Sequence, residues 1–341
     1  MVRSLVGLFC LVAVLFNVIF SLNSWSLNVY GFPWGQSDYF RYEEFRGISW
    51  PPHTLTVLLV DLVGWGLFSP LLFGVVLPCC LFLFFWSFLG DSWRGFLCTL
   101  WFVFGTFNLV GFWIMGLLAQ SVGLCFFLLA LACVRPGYSF RLFWFIGLVF
   151  LSLACLSHIV YFGILIFLGF VVLIYFDFVL LSLACLAAAL FPAYFFGWLG
   201  YFTLFSNYPL PEPSLYKLLF VFSFPLFYVF GWFGVRGRWD RCLLVCLFFT
   251  MPLLQIGRGM IFFHLFLVPL SFLGYEKLIG LSDRRVFLFF FLLMLVWFGN
   301  YLMFQCQNMA LEHFINGFDV KPLYESFRVA PFTNLNITVS K

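Results

Sequence analysis

A polar segment near the N-terminus concentrates side chains that could do acid–base chemistry. Asp38, Glu43 and Glu44 lie between the first two apolar runs of a 341-residue chain that has only 13 acids in all. A carboxylate that water can reach can take the proton from an attacking hydroxyl group, which contributes roughly 10²–10⁴-fold to a rate. The structural alternative is that Asp38 pairs with Arg41 in a solvated loop and that the two glutamates lie on a solvated face.

A second group of candidates lies beside or inside apolar runs. Asp61 stands several residues into such a run, where an acid costs roughly 2.5–3.5 kcal/mol to insert into a membrane, so we expect it to face a cavity or a partner. Arg258 precedes a late apolar run, and His264 lies nearly two helical turns further along it. The alternatives are that Arg258 anchors a helix end at the lipid head groups and that His264 packs within its helix.

The composition indicates which elements must position these residues. Hydrophobic residues make up 65% of the chain and charged residues 9%, whereas soluble domains have about 25% charged residues. Apolar runs of about 20 residues recur along the chain, which is the length a helix needs to cross a bilayer. Strands of a membrane barrel would alternate apolar and polar residues, and these runs do not. The chain is therefore predicted to be an all-α membrane protein with about ten or eleven transmembrane helices.

The apolar runs divide the chain into a polytopic domain, 1–304, and a short tail, 305–341. Leu5–Leu22 predicts the first span, and 22–53 the first outer loop. The run from Thr54 to Gly90 predicts two spans separated at Ser69-Pro70. A turn is expected at Asp91–Arg94, and the apolar stretch Phe96–Val134 follows it. Further spans are predicted at Leu142–Leu156, Ile159–Phe176, Val179–Tyr201, Leu218–Gly234, Cys242–Ile256, Met260–Tyr275 and Val286–Phe304.

The positions of the basic residues predict the orientation. Basic loops tend to stay in the cytoplasm, and three basic clusters (Arg135/Arg141, Arg236/Arg238/Arg241 and Lys277/Arg284/Arg285) alternate consistently with the spans if all of them face it. The N-terminus with Arg3 is then cytoplasmic, and the first loop, Arg258 and the tail are outer or luminal. The membrane is either the cell membrane of a prokaryote or that of the endoplasmic reticulum.

The first outer loop resembles that of a known superfamily. It contains Asp38-Tyr39-Phe40-Arg41-Tyr42 and then Trp50-Pro51-Pro52, and Arg41, Tyr42, Phe45 and Arg46 share one face of a possible short interfacial helix. This order resembles the GT-C superfamily of polyprenyl-phosphate-sugar-dependent glycosyltransferases. In many of its members Asp-(Tyr/Phe)-x-x-Tyr precedes a surface helix and a Tyr-Pro-Pro step into the second span. Trp50 departs from that pattern, since Tyr is commoner at its position.

The resemblance implies an enzyme and assigns roles to the candidate residues. It implies transfer of a hexose, mannose-like, from a polyprenyl- or dolichyl-phosphate sugar to a lipid-linked glycan or a protein on the outer or luminal side. Asp38 would be the general base, next to Tyr39 and Tyr42 in the substrate site. Glu43 and Glu44 would bind the acceptor or a divalent cation. Arg258 and His264 would hold the donor phosphate, and Asp61 would line the donor groove.

Two other classes of protein remain as alternatives. A multi-span transporter or channel would use Asp61 on an ion pathway, but the chain has no convincing internal repeat. A non-catalytic subunit of a membrane complex, including a respiratory one, also fits the composition, although the four histidines do not lie at facing helical positions for haem. The 11 cysteines lack paired zinc-ligand spacing, so they do not predict a zinc site. Membrane lipids are expected partners, and nucleic acid is not.

Overall fold

The computed structural model describes parts of the chain that are rich in helix. By residue number, these parts are 1–30, 54–106, 108–114, 117–133, 141–158, 160–161, 164, 183, 187, 225–237, 240–241, 244 and 260–279. All the regular elements in them are helices, which confirms the all-α prediction for the described residues. The predicted spans at 159–176, 179–201, 242–256 and 286–304 lie wholly or largely outside these residues, as do the interfacial helix and the tail.

The described helices follow one another closely in the first half of the chain. We number them α1 (Val2–Tyr30), α2 (Thr54–Val63), α3 (Trp65–Leu71, continued by a π-helical turn at Leu72–Val76 and by Leu77–Leu89), α4 (Ser92–Gly105), α5 (Asn108–Ile114), α6 (Leu118–Cys133), α7 (Arg141–Ser157), α8 (Pro225–Gly234) and α9 (Met260–Ile279). Among the described residues, three stretches are long and apolar enough to cross a membrane: Val2–Ser24, Gly66–Leu89 and Ile261–Leu278.

The first helix is longer than the apolar run that predicts it. α1 continues to Tyr30, so the first residues of the predicted outer loop are helical. α1 packs closely against the π-helical turn of α3, where a Cβ at Gly74 would lie 2.6 Å from the Cα of Phe16. No side chain fits at Gly74 in this arrangement. Small residues allow such a close approach of two helix backbones.

The predicted break at Ser69-Pro70 is wrong, because the helix passes through it. Pro70 lies inside α3, and the helix continues from it into the π-helical turn at Leu72–Val76. The chain breaks instead at Gly64, whose φ of 86° is a conformation that favours glycine. One candidate span therefore covers Gly66–Leu89, and Asp61 belongs to the separate, shorter helix α2.

The turn predicted at Asp91–Arg94 is shorter and begins one residue earlier, since Gly90 and Asp91 connect the two helices and α4 already begins at Ser92. Gly90 ends α3 with a φ of 76°, and the carboxylate of Asp91 accepts a 2.8 Å hydrogen bond from the backbone N–H of Arg94. These are the usual signals for ending one helix and capping the next. Gly95 then lets α4 return along α3, since a Cβ there would lie 2.8 Å from the Cα of Trp86.

Glycine also determines how α8 packs on α9. A Cβ at Gly234 would collide with the carbonyl oxygen of Leu270, and one at Gly274 would collide with that of Phe230. Both obstacles are backbone atoms, which cannot rotate away. The two helices run in the same direction, because the rings of Tyr228 and Phe263 lie 5.8 Å apart near the N-terminal ends and Gly234 meets Gly274 further along.

Candidate functional site: a buried polar network at one end of the bundle

Two polar contacts among the described residues, one near each end of α4, join α9 to α4 and to the start of α5. Arg94 in the first turn of α4 contacts Glu276 near the end of α9, and Asn108, just after α4, contacts His264 near the start of α9. The two helices are therefore antiparallel. The two contacts are separated by about 18 Å along α9, at 1.5 Å per residue. Between them, Trp101 packs edge-on against Phe272 and Tyr275.

The charged end of the bundle is defined by Asp91, Arg94, Arg236, Asp240 and Glu276. The Nε atom of Arg94 donates to a carboxylate oxygen of Glu276 at 2.9 Å, and the two side chains are 42% and 12% exposed. Arg236 lies 3.7 Å from Asp240 and 4.9 Å from the centre of the Phe88 ring. In both ion pairs the arginine is partly exposed, whereas the acid, Glu276 or Asp240, is 12% or 8% exposed.

The polar end is defined by Asn23, Thr106, Asn108, Trp113 and His264. Thr106 is the residue that ends α4, where its extended backbone breaks the helix, and its hydroxyl donates to the Phe102 carbonyl at 2.6 Å. The amide nitrogen of Asn108 is 3.1 Å from the Thr106 hydroxyl oxygen and 2.7 Å from Nδ1 of His264. The result is a continuous hydrogen-bonded network from the end of α4 to α9.

This network is almost completely removed from solvent. Thr106, Asn108 and His264 are 1%, 0% and 2% exposed. The side-chain oxygen of Asn108, Oδ1, has no hydrogen-bond partner among the described residues. Leaving a buried acceptor unpaired costs about 1–3 kcal/mol. The amide nitrogen of Asn108, by contrast, has two partners, Thr106 and His264, so the amide is held in place by its NH₂ group.

The C-terminal part of α1 also contacts the polar end. The indole N–H of Trp113 donates to the side-chain oxygen of Asn23 at 3.3 Å. At the other end of α1, the hydroxyls of Ser4 and Ser92 are 3.4 Å apart. The stretch of α1 between these contacts is about 28 Å long, close to the roughly 30 Å of a bilayer's hydrocarbon.

The structure describes only two of the site residues that the sequence predicts, His264 and Asp61. His264 is buried in the polar end, as its structural alternative also expects. The side chain of Asp61 in α2 is exposed and takes part in an interaction. Asp38, Tyr39, Tyr42, Glu43, Glu44 and Arg258 lie outside the described residues. Within the described ranges, no group of three or more His, Cys, Asp or Glu side chains could hold a metal ion.

Sequence reasoning did not find Thr106 or Asn108. Both lie in the long apolar stretch Phe96–Val134, where a Thr and an Asn two positions apart interrupt a series of aromatic and aliphatic residues. An amide inside an apolar run is expensive in a membrane and usually faces the bundle interior. That signal was available at Asn108, but its partner lies 156 positions further along the chain.

Comparison with protein-family models, with curated proteins and with solved structures finds no match to this chain. The residues themselves, and the geometry of the helices that carry them, are therefore the basis for the functional proposal.

Proposed function

We propose that this protein is a multi-span membrane glycosyltransferase of the GT-C type. It transfers a mannose-like hexose from a polyprenyl- or dolichyl-phosphate sugar to a lipid-linked glycan or a protein on the outer or luminal side of the membrane. About ten or eleven helices cross the bilayer in this proposal, with the N-terminus in the cytoplasm. The support comes from the loop motif at Asp38–Tyr42 together with the positions of the helix ends.

The single observation that carries the proposal is where two helices meet the polar end. α1 runs from Ser4 at the charged end to Asn23 at the polar end, and the chain continues from it towards Asp38. α9 begins close to His264, also at the polar end, directly after Arg258. The two chain connections that carry the proposed base and the proposed phosphate-binding cation thus start from the same end of the bundle.

The charge distribution supports the proposed orientation. The charged end carries Arg94, Arg236 and the first residues of α1 with Arg3, as expected for a cytoplasmic face. The polar end is then outer or luminal. There Asp38 takes the proton of the acceptor hydroxyl as the new bond to the anomeric carbon forms, and Arg258 stabilises the departing phosphate by bidentate hydrogen bonds. Tyr39, Tyr42, Glu43, Glu44 and Asp61 contribute to binding the substrates.

The test is a transfer assay on the full chain reconstituted in lipid nanodiscs. Radiolabelled polyprenyl-phosphate mannose serves as the donor, and a lipid-linked glycan as the acceptor. Asp38→Asn should lower the rate by about 10²–10⁴-fold, since it removes the base and keeps the shape. Asp91→Asn is the matched control at the opposite end. Its rate should not change, because Asn caps a helix as well as Asp does.

Two outcomes would contradict the proposal. One is a wild-type protein that transfers no sugar from the polyprenyl-phosphate donor. The other is a pair of cysteines, placed at Asp38 and Arg258 in a cysteine-free background, that impermeant maleimides label from opposite sides of the membrane. Ion flux in the same nanodisc or liposome preparation, abolished by Asp61→Asn, would favour the transporter alternative instead.

A further inference from the structure

The directions of the hydrogen bonds in the buried network can be worked out from its chemistry. Thr106 has one hydroxyl proton, and it is used in the 2.6 Å bond to the Phe102 carbonyl. The Thr106 oxygen must therefore act as an acceptor towards Asn108, 3.1 Å away. Only the NH₂ group of Asn108 can donate to it, and this determines which way the amide points.

The same NH₂ group faces the histidine. One of its hydrogens goes to Thr106, which leaves the second for Nδ1 of His264 at 2.7 Å. Nδ1 must then accept, so it carries no proton. A histidine with an unprotonated Nδ1 is a neutral imidazole with its single proton on Nε2.

We propose that Thr106 and Asn108 are positioning residues that hold His264 as the Nε2–H tautomer, so that it serves the site as a hydrogen-bond donor to a phosphate oxygen. The phosphate role rests on the proposed function, whereas the tautomer follows from the network alone. His264 in this state cannot take a proton at Nε2, which leaves proton abstraction to Asp38. It is complementary to the acceptor oxygens of the donor phosphate, which Arg258, six positions before it in the chain, is proposed to bind as well.

The first experiment measures the tautomer directly. The full chain is labelled with ¹⁵N-histidine and studied in nanodiscs by solid-state NMR, and the His264 signals are those missing from the spectrum of His264→Gln. We expect a protonated Nε2 and an unprotonated Nδ1 in the wild type. A protonated Nδ1 at His264 would overturn the proposal, whatever the activity of the protein.

A substitution then tests whether Asn108 is responsible. Asn108→Asp is nearly isosteric but replaces the donor by a carboxylate, which only accepts. The proton of His264 should move to Nδ1, or both nitrogens should become protonated. Gln120→Glu is the matched control, because it changes a buried amide to an acid outside this network and should leave the His264 signals unchanged. A His264 signal in Asn108→Asp identical to that of the wild type would contradict the assigned role.

Binding measurements separate a donor role from a merely structural one. In His264→Asn the short amide can replace Nδ1 as the acceptor for Asn108 but cannot reach the position of Nε2, whereas in His264→Gln the amide reaches that position. Loss of a hydrogen bond to a charged group should weaken binding of polyprenyl-phosphate mannose about 10- to 100-fold in His264→Asn. His264→Gln should bind more like the wild type. Equal binding by all three proteins would overturn the donor role.

Two further ligands identify which kind of phosphate compound binds at His264. Inorganic phosphate and phosphatidylglycerol vesicles are tested with the same variants. An effect of His264→Asn on polyprenyl-phosphate mannose alone identifies the lipid-linked donor as the ligand, and an effect shared with inorganic phosphate identifies a general phosphate site. If the NMR result holds but no sugar is transferred, the proposed function fails while the tautomer assignment stands.

Discussion

The two ends of the α4–α9 pair hold the same helices together by different chemistry. At the charged end, Arg94 and Glu276 form an ion pair in which the arginine is 42% exposed. At the polar end, Asn108 and His264 are almost fully buried and uncharged in the proposed state. Ions keep their hydration at a partly exposed site, whereas a buried polar group must find its partners in the protein.

The difference indicates which end is suited to chemistry. At the charged end, the Arg94 guanidinium is 42% exposed, so water can hydrate it when Glu276 is replaced. The polar end has no such substitute, so its geometry is fixed by Thr106, Asn108 and His264 together. Hydrogen-bond donors held in a fixed direction away from water can stabilise negative charge strongly, which is the role that we propose for His264. Four substitutions, three at or near the charged end and one at the polar end, test that contrast.

Gly274→Ala should have the largest effect, because it separates α8 from α9 near the charged end. The new Cβ meets the Phe230 carbonyl, and we expect a loss of about 3 kcal/mol in stability, at the upper part of the range for overpacking. The measurement is thermal unfolding in detergent. The matched control is Gly231→Ala, whose Cβ meets only side-chain atoms of Leu267 and Ser271 and should cost less. Equal effects would show that the helices are not packed in this way.

Asn108→Leu should destabilise the polar end by about 1–3 kcal/mol, since Nδ1 of His264 is left buried without a partner. The double variant Asn108→Leu/His264→Phe should recover much of that loss, because replacing both partners by apolar groups removes the unpaired atom. A double-mutant cycle of unfolding midpoints measures the coupling. Additive effects would mean that the two residues do not interact.

Glu276→Gln should cost less, about 0–1 kcal/mol, because Arg94 is already partly hydrated. The effect of this substitution should also shrink at high salt, which screens exposed charges, while the effect of Asn108→Leu should not depend on salt. Unfolding midpoints at low and high salt provide the comparison. A larger loss for Glu276→Gln than for Asn108→Leu would reverse the contrast between the two ends.

Arg236→Gln should have an effect as small as that of Glu276→Gln. The guanidinium contacts the Phe88 ring and lies near Asp240 at 3.7 Å, and an exposed cation–π contact contributes about 0.5–1 kcal/mol. Arg236→Lys keeps the charge and should recover part of the difference in the unfolding midpoint. Transfer activity should be the same in both variants, since neither touches the polar end. A loss of activity would place a functional group at the charged end instead.

Features that depend on neighbouring residues could be predicted from the sequence. The turn at Gly90-Asp91 follows from a glycine that ends a helix and an acid that caps the next one. The helices α7 and α9 start within a residue of their predicted positions, since apolar runs flanked by Arg141 and Gly259 mark them clearly. Pro70 shows where this reasoning fails, because the proline predicts a break and the helix continues through it into a π-helical turn.

Local composition is enough to predict helices that are apolar enough to enter a membrane, because helix formation and insertion into lipid depend on the residues within each run. The sequence also identified His264 as a residue of interest. The contact of Asn108 with His264, 156 positions away, and that of Arg94 with Glu276 at the opposite end are visible only in the folded chain. Contacts between helices depend on shape and direction in space, and Asn108 becomes a hydrogen-bond donor to His264 only when α4, α5 and α9 pack together.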